Sequence, residues 1–376
     1  MQNYMQLALR APLYSMFRKL QSPRLFPVNY TFSITNVCQS RCKTCFIWKL
    51  YLERPELRLK ELSMSEWTQI FESLGKSLFW VTISGGEPYL RRDLVEICKT
   101  ICEINKPRII NIPTNGLLSE RIEIWTSKIL EACAANGTEL VVNLSLDGIE
   151  SFHDEIRGVE GNWDASMKTL LALKELKERH RCLTVGIHTV ISKYNFGTLP
   201  NIVEWLLDKL EPDHYIMEIA EERDELFNKD SDITPNSKEL RSSLLKAARF
   251  LELRSKGIRG LPKISLAFRL RYYELLPKIL ESTKQLVPCM ALFASCHISP
   301  YGDLWPCCIL GYESTVGNLA DYNYSFAKLW RSARADNIRK RIRKGICSCP
   351  LASASYTNLL FSPMELTRAL FKLKHT

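Results

Sequence analysis

Three cysteines near the start of the chain, Cys38, Cys42 and Cys45, are separated by three and then two residues in the run FSITNVCQSRCKTCFIW. One short loop can therefore aim three thiolates at a single centre. A structural zinc site takes four ligands and closes, whereas an iron–sulfur cubane held by three cysteines leaves one iron open to a further ligand. A second set lies late in the chain: Cys289, Cys296, Cys307, Cys308, Cys347 and Cys349. Thirteen cysteines in 376 residues read, in a reducing compartment, as metal ligation or redox chemistry before disulfides. The other four, Cys98, Cys102, Cys133 and Cys182, fall in apolar-patterned segments and read as small buried hydrophobes.

Between the two sets stands ISGGEP, containing Gly85, Gly86, Glu87 and Pro88. Glycines let a backbone approach a ligand closely, and a glutamate beside them can accept from an ammonium group. Thr114-Asn115-Gly116 and LSLDG, with Ser145 and Asp147, are further turn-like sites. Each of these runs closes a short β-branched stretch. The strand candidates are 29–35, 79–84, 108–113, 139–146, 183–192 and 214–220, and helical periods such as 91–104, 119–136, 162–179 and 199–210 follow most of them. Six such units predict a parallel sheet covered by helices, either doubly wound or an open barrel. In both architectures the C-terminal ends of the strands carry the site.

The cysteine spacing, the aromatic Phe46 after the third cysteine and a glycine-rich loop one β/α unit later together resemble the radical S-adenosylmethionine (SAM) superfamily. That resemblance implies a partial (β/α)6 TIM-like barrel. It also implies a 4Fe–4S cluster on Cys38, Cys42 and Cys45, and contacts to SAM from Gly85, Gly86, Glu87, Pro88, Asn115, Ser145 and Asp147. The implied activity is reductive cleavage of SAM to a 5′-deoxyadenosyl radical that abstracts hydrogen from a substrate, with a reducing partner such as flavodoxin or ferredoxin. The arc from Cys289 through Gly302 to Cys307 resembles a SPASM or twitch extension holding an auxiliary 4Fe–4S cluster. Cys289, Cys307 and one or both of Cys347 and Cys349 are its best ligands there, with Cys296 as the other choice. Only Ser348 separates the closing pair, where the family usually places two residues. Gly317-Asn318-Leu319 and Trp330 fit the extension's hairpin and helix. Glu218 and Arg223 are weaker contact candidates, and His153, Asp154 and Arg157 match a run that the family carries for structure.

The chain divides into an amphipathic helical segment (1–28), the barrel (29–220), a charged helical linker or lid (221–286), the auxiliary-cluster domain (287–350) and a second amphipathic helix (351–376). The first mixes Met5, Leu9, Leu13, Met16, Phe17 and Leu20 with Arg10, Arg18 and Lys19. The last opens on Ser362-Pro363 with Glu365 placed to reciprocate, before Leu366, Leu370, Phe371 and Leu373. Each either caps the barrel or meets a membrane. No apolar run is long enough to span a bilayer and no secretion signal precedes Cys38, so a cytoplasmic protein is expected, with contact at a membrane surface the alternative. The net charge of +10 concentrates in 331–344, but without interleaved aromatics that segment reads as a solvated helix face rather than a nucleic-acid platform. The position of Cys38 leaves no room for a leader-binding module before it, which lowers the expectation of leader-guided peptide modification. The substrate stays open among small metabolites, lipid or sugar intermediates and peptides. An electron-transfer or redox-sensing protein without SAM cleavage is the competing class, and the ISGGEP loop speaks against it.

Overall fold

The computed structural model describes residues 4–254, 258 and 260–372. Six strands run parallel: β1 (Asn29–Thr35), β2 (Trp80–Gly85), β3 (Ile109–Thr114), β4 (Glu139–Ser145), β5 (Leu183–Ile191) and β6 (His214–Ile219). Their residues are mostly β-branched or aromatic, and both faces of β4 are buried, as a sheet covered on each side requires. Helices Met64–Leu74, Ser119–Asn136, Asn162–Arg179 and Leu199–Leu210 alternate with them. Met64–Leu74 starts on a capping box in which Ser63 and Glu66 satisfy each other's backbone N–H groups. Its Trp67 and Phe71 then pack their rings 5.7 and 5.5 Å from Phe32 of β1.

The order of the first six strands never reverses, running β6-β5-β4-β3-β2-β1. A doubly wound sheet reverses at a switch point; this one winds in a single direction and ends unclosed, as a partial barrel. The sheet continues beyond β1. Strand β7 (Ser295–Ile298) pairs parallel to it, and β8 (Asp303–Trp305) and β9 (Gly317–Asn318) follow antiparallel. The late cysteine-rich domain is thus built onto the barrel's own sheet.

The segment expected as a linker or lid forms helices Ser237–Leu253 and Leu261–Glu281. They pack on the flank, against Leu199–Leu210 and β6, where Tyr273 Oη accepts from the Met217 N–H of the edge strand (2.9 Å). An edge strand needs such cover. Helix Tyr4–Leu20 buries Leu7, Tyr14 and Phe17, with Phe17 edge-on to Phe293. Helix Pro363–Lys372 begins where Ser362-Pro363 predicts, but Glu365 does not reciprocate the cap. Its buried carboxylate accepts from Arg271 (2.7 Å) and Arg368 (2.6 Å), because a carboxylate at that depth needs a cation. Leu373, counted in that amphipathic tail, lies outside the described residues. Among the described residues no helix is long and apolar enough to cross a membrane.

Candidate functional site

The loop after β1 carries Cys38, Cys42 and Cys45, and four sets of hydrogen bonds hold it. Glu61 Oε1 accepts from Thr35 Oγ1 (2.7 Å) and the Asn36 N–H (2.8 Å) at its start. The Arg41 and Lys43 N–H groups donate to Arg157 and Ile156 carbonyls (3.0 and 2.9 Å), and Asn228 Nδ2 donates to the Thr44 carbonyl (2.8 Å). Arg91, its side chain largely buried, donates to the carbonyls of Ile34 and Leu62. The fourth support is ISGGEP. The Gly86 and Glu87 N–H groups donate to the Thr35 and Val37 carbonyls (both 2.8 Å). A Cβ on Gly85 would stand 2.0 Å from the Thr35 carbonyl oxygen and one on Gly86 2.2 Å from that of Val37, so neither position admits a side chain. The glycines are needed first for contact with the cysteine loop itself.

Burial first, and then the repulsion a neighbouring Cys42 thiolate would exert, pushes the Cys38 and Cys45 thiols up to about 12. A thiolate there needs a positive centre to replace its proton, which fits a metal cluster. Among the described residues no three Cys, His, Asp or Glu side chains close on a single metal ion. A cubane makes no such demand, since it takes its thiolates at separate iron corners.

Three of the predicted SAM contacts have other work in this structure. Glu87 is turned inward, where its carboxylate accepts from Thr114 Oγ1 (2.9 Å) and the N–H groups of Asn115 (2.8 Å) and Tyr89 (3.2 Å). Burial raises its pKa to about 7. It ties the end of β2 to the end of β3. Asp147 is fully buried: Oδ1 accepts from the Val190 N–H (2.8 Å), and Oδ2 lies 3.4 Å from Arg157 Nη1. Arg157 Nη1 in turn points at Cys42 Sγ (3.5 Å). Asn115 Nδ2 stands 3.9 Å from Cys38 Sγ. Pro88 is buried at the start of a short 3₁₀ turn, and Ser145 is half-buried at the end of β4, in register with His188.

Among the late cysteines, Cys289, Cys307, Cys347 and Cys349 form one group. Cys307 and Cys347 are pushed up to about 12, by burial first and by their cysteine neighbours after it, and Cys349 also stands within reach of Cys289 and Cys307. Both members of the closing pair lie among these neighbours, with a single residue between them. Cys296 does not. It sits on β7 opposite Tyr30, with Arg339 as its charged neighbour, because strand alternation turns it into the core. Cys308 is also turned away from the group, and its Sγ accepts from Arg223 Nη1 at 2.8 Å. Of the scattered cysteines, Cys98, Cys102 and Cys133 are buried and Cys182 is half-buried.

His153, one helical turn before Arg157, has a consequence for acid stability. Its ring is buried beside Trp163, and Nδ1 accepts from the Asp147 N–H (3.2 Å). Burial, then Arg157, lower its pKa to about 4. Below about pH 6.5 the unfolded chain takes a proton that the folded chain refuses until about pH 4. Stability is thus present above that window and is lost as pH falls through it, by about 3 kcal/mol. Thermal unfolding of wild type and His153→Asn between pH 7 and 4.5 checks this, with the variant expected to show the flatter dependence.

The radical SAM superfamily model matches residues 32–206, and the model of SPASM, an iron–sulfur cluster-binding domain, matches residues 289–350. The antilisterial bacteriocin subtilosin biosynthesis protein AlbA of Bacillus subtilis is 22% identical over 351 residues, covering 91% of this chain and 70% of AlbA. Among solved structures, anSMEcpe with bound AdoMet and a Cp18Cys peptide superposes with a TM-score of 0.62 at 16% identity, covering 93% of this chain and 99% of that one. Streptococcus suis SuiB bound to precursor peptide SuiA gives 0.55 at 16% identity, covering 90% and 72%. The last two likenesses are of fold.

Proposed function

The chain belongs to the radical SAM superfamily and carries a SPASM domain, and from that premise we propose that it abstracts a hydrogen atom from a peptide, drawing its electrons from a low-potential donor such as flavodoxin or ferredoxin. Superfamily membership brings SAM and a 4Fe–4S cluster, and the SPASM domain brings auxiliary iron–sulfur chemistry. When bound, the first cluster supplies the electron that cleaves SAM to methionine and the 5′-deoxyadenosyl radical. The observation that carries this reading is the convergence of Cys38, Cys42 and Cys45 on one loop locked against Gly85 and Gly86. An electron carrier has no use for such a loop, and the electron-transfer alternative is not favoured.

In this reading Cys38, Cys42 and Cys45 hold the first cluster, and Asn115 and Arg157 orient Cys38 and Cys42 through their sulfurs. Gly85 and Gly86 present backbone to the methionyl end of SAM, and Ser145 faces the same rim. Cys289, Cys307, Cys347 and Cys349 supply four thiolates to one auxiliary cluster. Four ligands leave no iron open, which favours electron transfer over substrate binding. A peptide as substrate is supported by AlbA, named for bacteriocin biosynthesis, and by the peptides bound to anSMEcpe and SuiB. It goes against the expectation drawn from the position of Cys38.

The test is anaerobic reconstitution, then incubation with dithionite and SAM. About eight irons per chain with 5′-deoxyadenosine formation are expected; iron without SAM cleavage would overturn the proposal. Peptide and small-molecule fractions from deuterated cells then separate the substrate classes. Deuterium is expected in 5′-deoxyadenosine with the peptide fraction, and its appearance only with small molecules would refute the peptide.

A further inference from the structure

Among the described residues the helix Tyr4–Leu20 is buried through Leu7, Tyr14 and Phe17. A second side, about a third of a turn round the helix, carries Leu9, Leu13, Met16 and Leu20, a spacing of four, three and four residues that places all four on one solvent-facing stripe. Leu9 is 73% exposed and Leu20 68%. A helix that only caps a barrel has no reason to be apolar on both sides. The helix Pro363–Lys372 repeats the arrangement, burying Glu365 and Ala369 while Met364 and Phe371 are 55% and 61% exposed. The two helices meet: Tyr14 packs its ring 4.8 Å from Phe361, and Ser15 Oγ donates to the Phe361 carbonyl (3.1 Å) just before the second helix begins.

The basic run seen in the sequence lies on the same part of the molecule. It forms the helix Ala333–Arg343, whose Arg343 Nη1 donates to the Lys19 carbonyl (2.5 Å) at the end of the first helix. Arg334, Lys340, Arg341 and Lys344 are exposed there, and Arg10 and Lys19 are exposed beside the leucine stripe itself. Exposed leucines bordered by long cationic side chains suit the boundary between lipid headgroups and acyl chains.

We infer that this face, built from Leu9, Leu13, Met16 and Leu20 with Met364 and Phe371 and bordered by the cations of Ala333–Arg343, docks on the surface of an anionic lipid bilayer. A second copy of the chain fits less well, because a symmetric contact would set the two basic borders against each other. Nucleic acid would use the cations and leave the leucines in water. The inference is independent of the substrate proposed above, since it rests on solvent-facing side chains of the two helices and not on the cysteines.

The experiment is co-sedimentation of the reconstituted full chain with phosphatidylcholine vesicles, with and without one quarter phosphatidylglycerol. Binding to the anionic vesicles is expected to be roughly tenfold or more tighter than to the zwitterionic ones. Leu9→Gln/Leu13→Gln/Met16→Gln/Leu20→Gln changes only solvent-facing positions and is expected to lose binding by about tenfold or more, with circular dichroism and 5′-deoxyadenosine formation in solution unchanged. Lys340→Glu/Arg341→Glu/Lys344→Glu is expected to erase the preference for anionic lipid. No sedimentation of wild type, or full binding by the quadruple variant, would overturn the inference. So would analytical ultracentrifugation showing a wild-type dimer that the quadruple variant dissolves without any vesicle binding, which would assign the face to a second copy.

Discussion

Cys42→Ser is expected to leave a folded protein that retains about four irons and forms no detectable 5′-deoxyadenosine. Cys42 is buried, and its Sγ faces Arg157 Nη1 at 3.5 Å. A serine hydroxyl can still accept from that guanidinium, so the buried cation keeps a partner and the melting temperature should change little. A hydroxyl is a poor substitute for a thiolate on iron, and loss of one of three ligands should exceed the ~10- to 100-fold cost of losing an outer partner of a metal site. The late group of four cysteines shares no residue with the loop, so its iron should persist. Cys296→Ala is the control: on β7 opposite Tyr30 it should cost a small cavity and no iron. Iron and sulfide counts, with chromatographic assay of 5′-deoxyadenosine, check all of this. A Cys296→Ala protein with half the iron would contradict the ligand set assigned here.

The largest expected effect on stability falls on the pair beneath the loop. Asp147 is wholly buried and Arg157 nearly so, with Oδ2 and Nη1 3.4 Å apart. Arg157→Gln leaves a carboxylate in the interior with, among the described residues, the Val190 N–H alone to satisfy it. Breaking one side of a buried pair costs about 3–5 kcal/mol. Asp147→Asn should cost less, because Arg157 keeps Cys42 Sγ as an acceptor. Combining Arg157→Gln with Asp147→Asn removes both charges and should recover part of the loss. Chemical denaturation of the four proteins measures the coupling, and additive single losses would show that the two side chains do not act as a pair.

Much of the barrel was legible because its strands are short β-branched runs closed by Gly, Asn or Asp turns. The range 29–35 matches β1 residue for residue, and the helices 119–136, 162–179 and 199–210 match theirs. The predicted helix 91–104 is instead Leu94–Thr100 followed by a π-helical turn, Ile101–Asn105, which no period of 3.6 announces. The cysteines were legible as a set, and their partition was not. Cys296 and Cys308 are set apart from the other late cysteines by strand alternation and by a guanidinium 85 residues away in sequence, facts of packing that spacing does not carry. Asp147 likewise looked like a rim residue because it follows a strand. Only the fold shows that it turns inward to meet Arg157, whose run had been set aside as structural. Glu61 and Arg91, which brace the cysteine loop, belong to no motif and had no sequence signal at all.

The parallel pairing of β1 with β7 matches Asn29 with Ser295 and Phe32 with Ile298. The strand that leads into Cys38 and the strand that leaves Cys289 are therefore neighbours in one hydrogen-bonded ladder, with no hinge between them. Tunnelling rates fall steeply with each ångström of separation. Clusters held by the two cysteine groups would lie beyond opposite ends of these two parallel strands, and the shared ladder would keep their spacing constant however the flanking helices breathe, so the speed of electron passage between them should be insensitive to whether a substrate is bound.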